Sequence, residues 1–146
     1  MDELVSSRKV PKLGPEIEAV FSSYPEPIQE PILRVRSLVF QVAEGRNEIG
    51  LITETLKWGQ VSYLTEVTKS GTTLRLAPVK KRLNHFGLYV HCQTQLIERS
   101  RDIFSVEAAQ GVFEFEKNRG LILECGKPLP VTALSLFINH ALTYHL

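Results

Sequence analysis

Between Ile28 and Val42 the apolar residues Ile28, Ile32, Val35, Val39 and Val42 recur at intervals of four and three, while Gln29, Arg34, Arg36 and Gln41 fall off that seam. The spacing predicts an amphipathic helix over about 26–44 with one stripe turned to a core. Pro31 sits in its first turn and a half, where a missing N–H matters least, and Gly45 is placed to stop it. Upstream, Pro15 opens a shorter helix with Ile17, Val20, Phe21 and Tyr24 at helical spacing. Residues 1–14 lack periodicity and are expected to form a loose arm ahead of one domain over 15–146. Ile49, Ile52, Thr53 and Leu56 support a third short helix over 48–57, ended by Gly59. Trp58 would then stand at a helix–sheet junction with its indole buried.

The pattern next changes to a period of two, as strands require. Val61, Tyr63, Thr65 and Val67 alternate with Ser62, Leu64 and Glu66; Leu74 and Leu76 alternate with Thr73, Arg75 and Ala77. If Ser70 and Gly71 form a two-residue hairpin loop, Val67 faces Leu74, Thr65 faces Leu76 and Glu66 faces Arg75. A three-residue loop would set Thr65 against Arg75 and split the apolar set between faces, so the first pairing is preferred. In 85–91, Phe86, Leu88 and Val90 share one side, and His85, Gly87, Tyr89 and His91 the other. Thr94 is placed to cap a helix over 95–104, a strand pair is expected at 112–115 and 119–124, and Pro130 opens a last helix with Leu134, Phe137, Ile138, Ala141 and Leu142 apolar. The connectors at 70–71 and 80–84 are too short for crossover helices. The expected architecture is a single α+β domain: an antiparallel sheet of about five strands with helices packed mainly on one face.

Composition narrows the function classes. Seventeen basic residues against sixteen acidic ones leave a net charge of +1, which gives no broad field for nucleic acid or an anionic membrane. No apolar run approaches the roughly 20 residues of a membrane helix, and the acidic start MDEL does not resemble a signal peptide, so a cytoplasmic protein is expected. Cys92 and Cys125 make neither a disulfide framework nor a zinc spacing.

Catalytic signals are lacking: there is no Gly-x-Ser-x-Gly elbow, no phosphate-binding glycine loop, and no base marked for either thiol. His91 and Cys92 point to opposite faces if the strand continues, and His85 lies roughly 20 Å from His91 along it at about 3.3 Å per residue, so no metal site and no cofactor is expected. What remains is a face bearing Glu66, Arg75, Tyr89 and His91, joined at its edge by Glu54, Trp58 and Lys80. Such a cationic, aromatic surface suits a small anion or a protein partner's carboxylate. The competing view is that Glu66 and Arg75 only pair across strands while Tyr89 and Trp58 fill apolar gaps. The same face, with Leu64, Tyr89 and Ile122, is also a candidate homodimer patch.

The segments ETLKWGQVSYL, GTTLRLAPVK, GLYVHCQT, FEKNRGLIL and LPVTALSLFINHALTYH resemble, in this order, the YdhG-like family of small bacterial domains of unknown function. The resemblance covers about 30–145 and centres on Glu54, Thr55, Trp58 and Gly59, with Lys80 near the end of a strand. It implies a compact α+β domain and no established catalytic residues. One branch of the family is described as a frataxin-like intracellular iron chaperone, and this makes iron delivery the alternative function. Oxygen ligands suit iron in that role, whereas the first two helices here offer only Glu16, Glu18, Glu26, Glu30 and Glu44, scattered among prolines and apolar residues.

Overall fold

The structure is a computed structural model and describes residues 10–146. Two helices come first, α1 (Pro15–Ser22) and α2 (Glu26–Ala43), then strands β1 (Thr53–Lys57), β2 (Gln60–Leu64), β3 (Leu74–Val79) and β4 (Arg82–Tyr89). Helices α3 (Leu96–Ile103) and α4 (Ser105–Ala109), strands β5 (Glu114–Glu116) and β6 (Gly120–Glu124), and helix α5 (Val131–Leu142) complete the chain. The strands form one antiparallel sheet in the order β1-β2-β3-β4-β6-β5. The fold is α+β, with one strand more than the periodicity suggests.

Amphipathicity decides which face is covered. The α2 seam of Ile28, Ile32, Val35 and Val39 is buried, as are Leu134, Phe137, Ile138 and Leu142 of α5. They pack on Val61 and Tyr63 of β2, Leu74 and Leu76 of β3, Phe86 and Leu88 of β4, and Leu121 and Leu123 of β6. Each of these strand residues lies on the covered face because side chains alternate along a strand.

Residues 1–9 of the expected arm lie outside the described residues. The remainder of the arm is held: Val10 and Leu13 pack against the core, and the Pro11 carbonyl accepts a hydrogen bond from Arg36 Nη2 at 2.8 Å.

Four local expectations are corrected. The stretch 48–57 is not a helix. Gly50, at φ +73°, takes the left-handed conformation after a turn that buries Ile49; Thr53–Lys57 then runs extended as the edge strand, with Leu56 facing Val61 and Glu54 facing Tyr63. The spacing of Ile49, Ile52 and Leu56 imitates a helix only because a turn and a strand follow one another.

The β2–β3 register also differs. Tyr63, not Val67, is opposite Leu74, and Ser62, not Glu66, is opposite Arg75. Residues 65–73 are drawn out of the sheet because they are fastened to the end of α5. Ser70 Oγ donates to the Leu142 carbonyl at 2.8 Å, Thr72 N to the Ala141 carbonyl at 2.9 Å, and His145 N to the Ser70 carbonyl at 2.7 Å. Gly71 is needed there, since a Cβ would sit 2.6 Å from Leu142 Cα. The slip from 67 to 63 is even, so the predicted faces survive it.

The helix after the fourth strand begins at Leu96 without a side-chain cap on its first turn. Thr94 instead donates its hydroxyl to the His91 carbonyl at 2.8 Å. The turn between β3 and β4 is tighter than expected: Val79 pairs with Arg82, leaving only Lys80 and Lys81 between the strands.

Candidate functional site

On the face away from the helices, one row of residues crosses the sheet. Thr55 is opposite Ser62, Ser62 opposite Arg75, Arg75 opposite Tyr89, Tyr89 opposite Gly120, and Gly120 opposite Glu116. Arg75 thus stands near the centre of the open face, on a strand with neighbours on both sides.

Tyr89 is laid flat beside it by two glycines. A Cβ at Gly87 would come 2.7 Å from the Tyr89 ring, and one at Gly120 would come 2.9 Å from it. Only glycine clears the space at both positions. Ile122, opposite Gly87, is 3% exposed, so the Leu64–Tyr89–Ile122 patch lacks one of its apolar members at the surface. Burial, followed by the nearby Glu116 carboxylate, pushes the Tyr89 phenol up to about 12. At neutral pH it is therefore an uncharged hydrogen-bond donor beside Arg75.

The Arg75 guanidinium makes no hydrogen bond or ion pair with any described residue, and its Nε is shut off from solvent without a partner. Its expected partner, Glu66, is carried away in the exposed part, 66–69, of the 65–73 loop. Guanidinium groups in this position usually find a carboxylate, because an unmet buried donor costs about 1–3 kcal/mol.

Two concavities open on either side of Arg75. One, of about 370 Å³, is lined by Arg75, Tyr89, Lys80, Gln60, Glu116 and Arg119. The other, of about 500 Å³, is lined by Arg75, Lys57, Trp58, His91, Tyr144 and His145, among others. Across the two, the cations Lys57, Arg75, Lys80 and Arg119 face a single carboxylate, Glu116, which Arg119 Nε engages at 2.9 Å. The local field is positive although the chain as a whole is close to neutral.

Trp58 departs from its expected place. It is the first residue of a two-residue loop between Lys57 and Gln60, with φ +56° at Trp58 and +75° at Gly59. Two positive φ values are what a type I′ hairpin turn demands, and Asn or Gly is the usual first residue. The indole is 93% exposed at the hairpin tip.

Glu54 is corrected more fundamentally. As a strand residue opposite Tyr63 it lies on the covered face, beneath α2. Arg36 Nε donates to its Oε2 at 2.7 Å and Nη2 to its Oε1 at 2.9 Å, while the Tyr63 hydroxyl donates to Oε2 at 2.8 Å. Glu54 is a structural anion and no part of the open surface. Of the seven residues singled out by sequence, Trp58, Arg75 and His91 line one concavity, Arg75, Lys80 and Tyr89 the other, and Glu54 and Glu66 neither.

Sequence reasoning did not find Lys57, Tyr144 and His145. Lys57 falls within the helical spacing of 48–57, and the other two reach the site only because the 65–73 loop is tied to the end of α5. No local pattern signals that contact.

The histidines are separately engaged. His85 is buried, its Nδ1 2.8 Å from Asn84 Oδ1 and its Nε2 2.7 Å from Arg82 Nη2. His91 Nδ1 accepts the Gln93 backbone N–H at 3.0 Å, so its neutral form carries the proton on Nε2. Among the described residues, no group of three or more His, Cys, Asp and Glu side chains gathers where it could hold a metal ion. Compared with known proteins, the chain matches no family model, no curated protein and no solved structure.

Proposed function

We propose that the chain is a non-enzymatic cytoplasmic binding domain of the YdhG-like kind, which captures a small anion or the carboxylate of a protein partner on its open sheet face around Arg75. One observation carries this reading: a guanidinium in the middle of a sheet, flanked by Tyr89 and two concavities, with no partner among the described residues. Arginine presents a planar fork of donors that a carboxylate or phosphate meets with two charged hydrogen bonds. Tyr89 adds a neutral donor beside the fork, and Lys80 and Lys57 add charge at either end. The strands make the site rigid, so little ordering opposes capture. Among the described residues no helix is long and apolar enough to cross a membrane, which agrees with the proposed compartment. Kinship rests on the ordered segments around Glu54, Thr55, Trp58, Gly59 and Lys80.

The test is a titration of isotope-labelled protein with inorganic phosphate and with acetate, read as backbone amide shifts. Saturable shifts centred on Arg75, Tyr89 and Lys80 are expected, and Arg75→Leu should remove them. Equal binding by Arg75→Leu refutes the reading.

A further inference from the structure

We infer that the preferred ligand is an anion carrying a planar aromatic ring, the ring stacking on Trp58 while the anionic group meets Arg75. This rests on the anion-binding reading above and adds the ring to it.

Three observations point to the ring. A tryptophan occupies a left-handed turn position that favours Asn or Gly, and it does so 93% exposed. Neither local geometry nor core packing accounts for an indole at that position. Strained, solvent-facing residues of this kind gather at binding sites. Next, Trp58 borders the concavity of about 500 Å³ that also holds Arg75, a volume within the roughly 300–1,000 Å³ typical of small-molecule sites. Tyr144 also lines it and is fixed: its hydroxyl accepts the Gln95 backbone N–H at 2.8 Å, and the Arg99 guanidinium lies 5.5 Å from its ring centroid. The cavity therefore has an exposed aromatic border and an anchored one.

The charge of the lining specifies the rest of the ligand. Lys57 and Arg75 contribute to this cavity, the His91 Nε2–H is a further donor, and no carboxylate lines it. A cationic ring would be repelled by Lys57 and Arg75 there, whereas an anionic one combines stacking with charged hydrogen bonds. The shared chemistry is an aromatic anion, its charge from either a carboxylate or a phosphate.

Trp58 is the only tryptophan, so its fluorescence reports directly on stacking. Adenosine monophosphate and benzoate serve as ring-bearing probes, inorganic phosphate and acetate as ringless ones. Saturable quenching by at least one ring-bearing probe, and none by the ringless pair, is expected; the tighter of the two ring-bearing probes tells phosphate from carboxylate. Trp58→Asn suits the turn and keeps the hairpin. Measured by amide shifts, this variant should weaken the ring-bearing probe by about tenfold while phosphate binding stays within about twofold. Arg75→Leu should weaken both. If neither ring-bearing probe quenches Trp58, or if Trp58→Asn binds them as tightly as the parent, the ring inference is overturned while anion binding stands. If phosphate binding survives Arg75→Leu, the underlying site is lost instead.

Discussion

Arg36 and Arg75 approach the same sheet from opposite sides and meet opposite surroundings. Arg36 reaches down from α2 to form a two-pronged pair with Glu54, donates to the Pro11 carbonyl, and rests 5.1 Å from the centroid of the Phe40 ring. Tyr63 completes that cluster through Glu54. Arg75 has a tyrosine beside it too, yet no carboxylate, and one of its nitrogens is buried without a partner. The first arginine's donors are used inside the chain, so its role is to hold β1 and residues 10–14 beneath α2. The second arginine's guanidinium donates to no described residue, and this is the opening that the proposed anion would fill.

The comparison is broken most forcefully on the covered side. Removing one member of a buried ion pair leaves the other charged and unmatched, so Arg36→Ala should lose about 3–5 kcal/mol. Domains of this size have roughly 5–15 kcal/mol to lose, and the urea midpoint should therefore fall steeply. A loss under about 1 kcal/mol would mean that the cluster is not an anchor, and that buried pairing does not separate the two arginines.

The helical half of this division is legible in the sequence because the α2 seam repeats over enough turns to admit one reading. The edge strand is not legible. Ile49, Ile52 and Leu56 are spaced like a helix, and what decides against it is the left-handed Gly50 together with pairing to β2. The places of Glu54 and Trp58 both descend from that strand. Once Thr53–Lys57 is extended, Glu54 shares a face with Leu56 and is covered, and Trp58 becomes a turn residue instead of a buried one. Arg75 and Tyr89 fall on the open face in either register, with 67 or 63 opposite Leu74, because an even slip preserves sidedness. The missing Glu66 partner was unreadable because the loop carrying it is held by α5, far away in sequence.

A finer probe of the covered cluster uses its tyrosine. Burial first, and then the Glu54 carboxylate, hold the Tyr63 phenol well above its ordinary value. The folded chain thus keeps this proton at pH values where the unfolded chain, titrating near about pH 10, has released it. The associated stability is fully present below about pH 10 and is lost as pH rises beyond it. Tyr89, pushed up to about 12, acts in the same direction on the open face. Tyr63→Phe should lose roughly 1.5–3 kcal/mol at neutral pH, through its hydrogen bond to a charged acceptor. It should also flatten the fall in melting temperature above about pH 10 relative to the parent. An unchanged alkaline limb would place the titrating group elsewhere.

The smallest effect is expected at Arg75, and it tests the comparison most closely. Replacing it by leucine removes a charge that pairs with nothing described and a buried nitrogen that has no acceptor, while the alkyl part of the side chain is roughly kept. Nothing in the fold depends on the guanidinium, so the urea midpoint of Arg75→Leu should stay within about 0.5 kcal/mol of the parent, or rise slightly as the unmet donor disappears. A group that is neutral for folding while standing unmatched at the centre of a rigid face is what a binding residue is expected to be, since sites are commonly held at some expense to stability. Should Arg75→Leu instead lose more than about 2 kcal/mol, a value reserved for core or network damage, Arg75 would belong with Arg36 as a structural residue. The open face would then lose the one feature that distinguishes it from an ordinary solvated sheet.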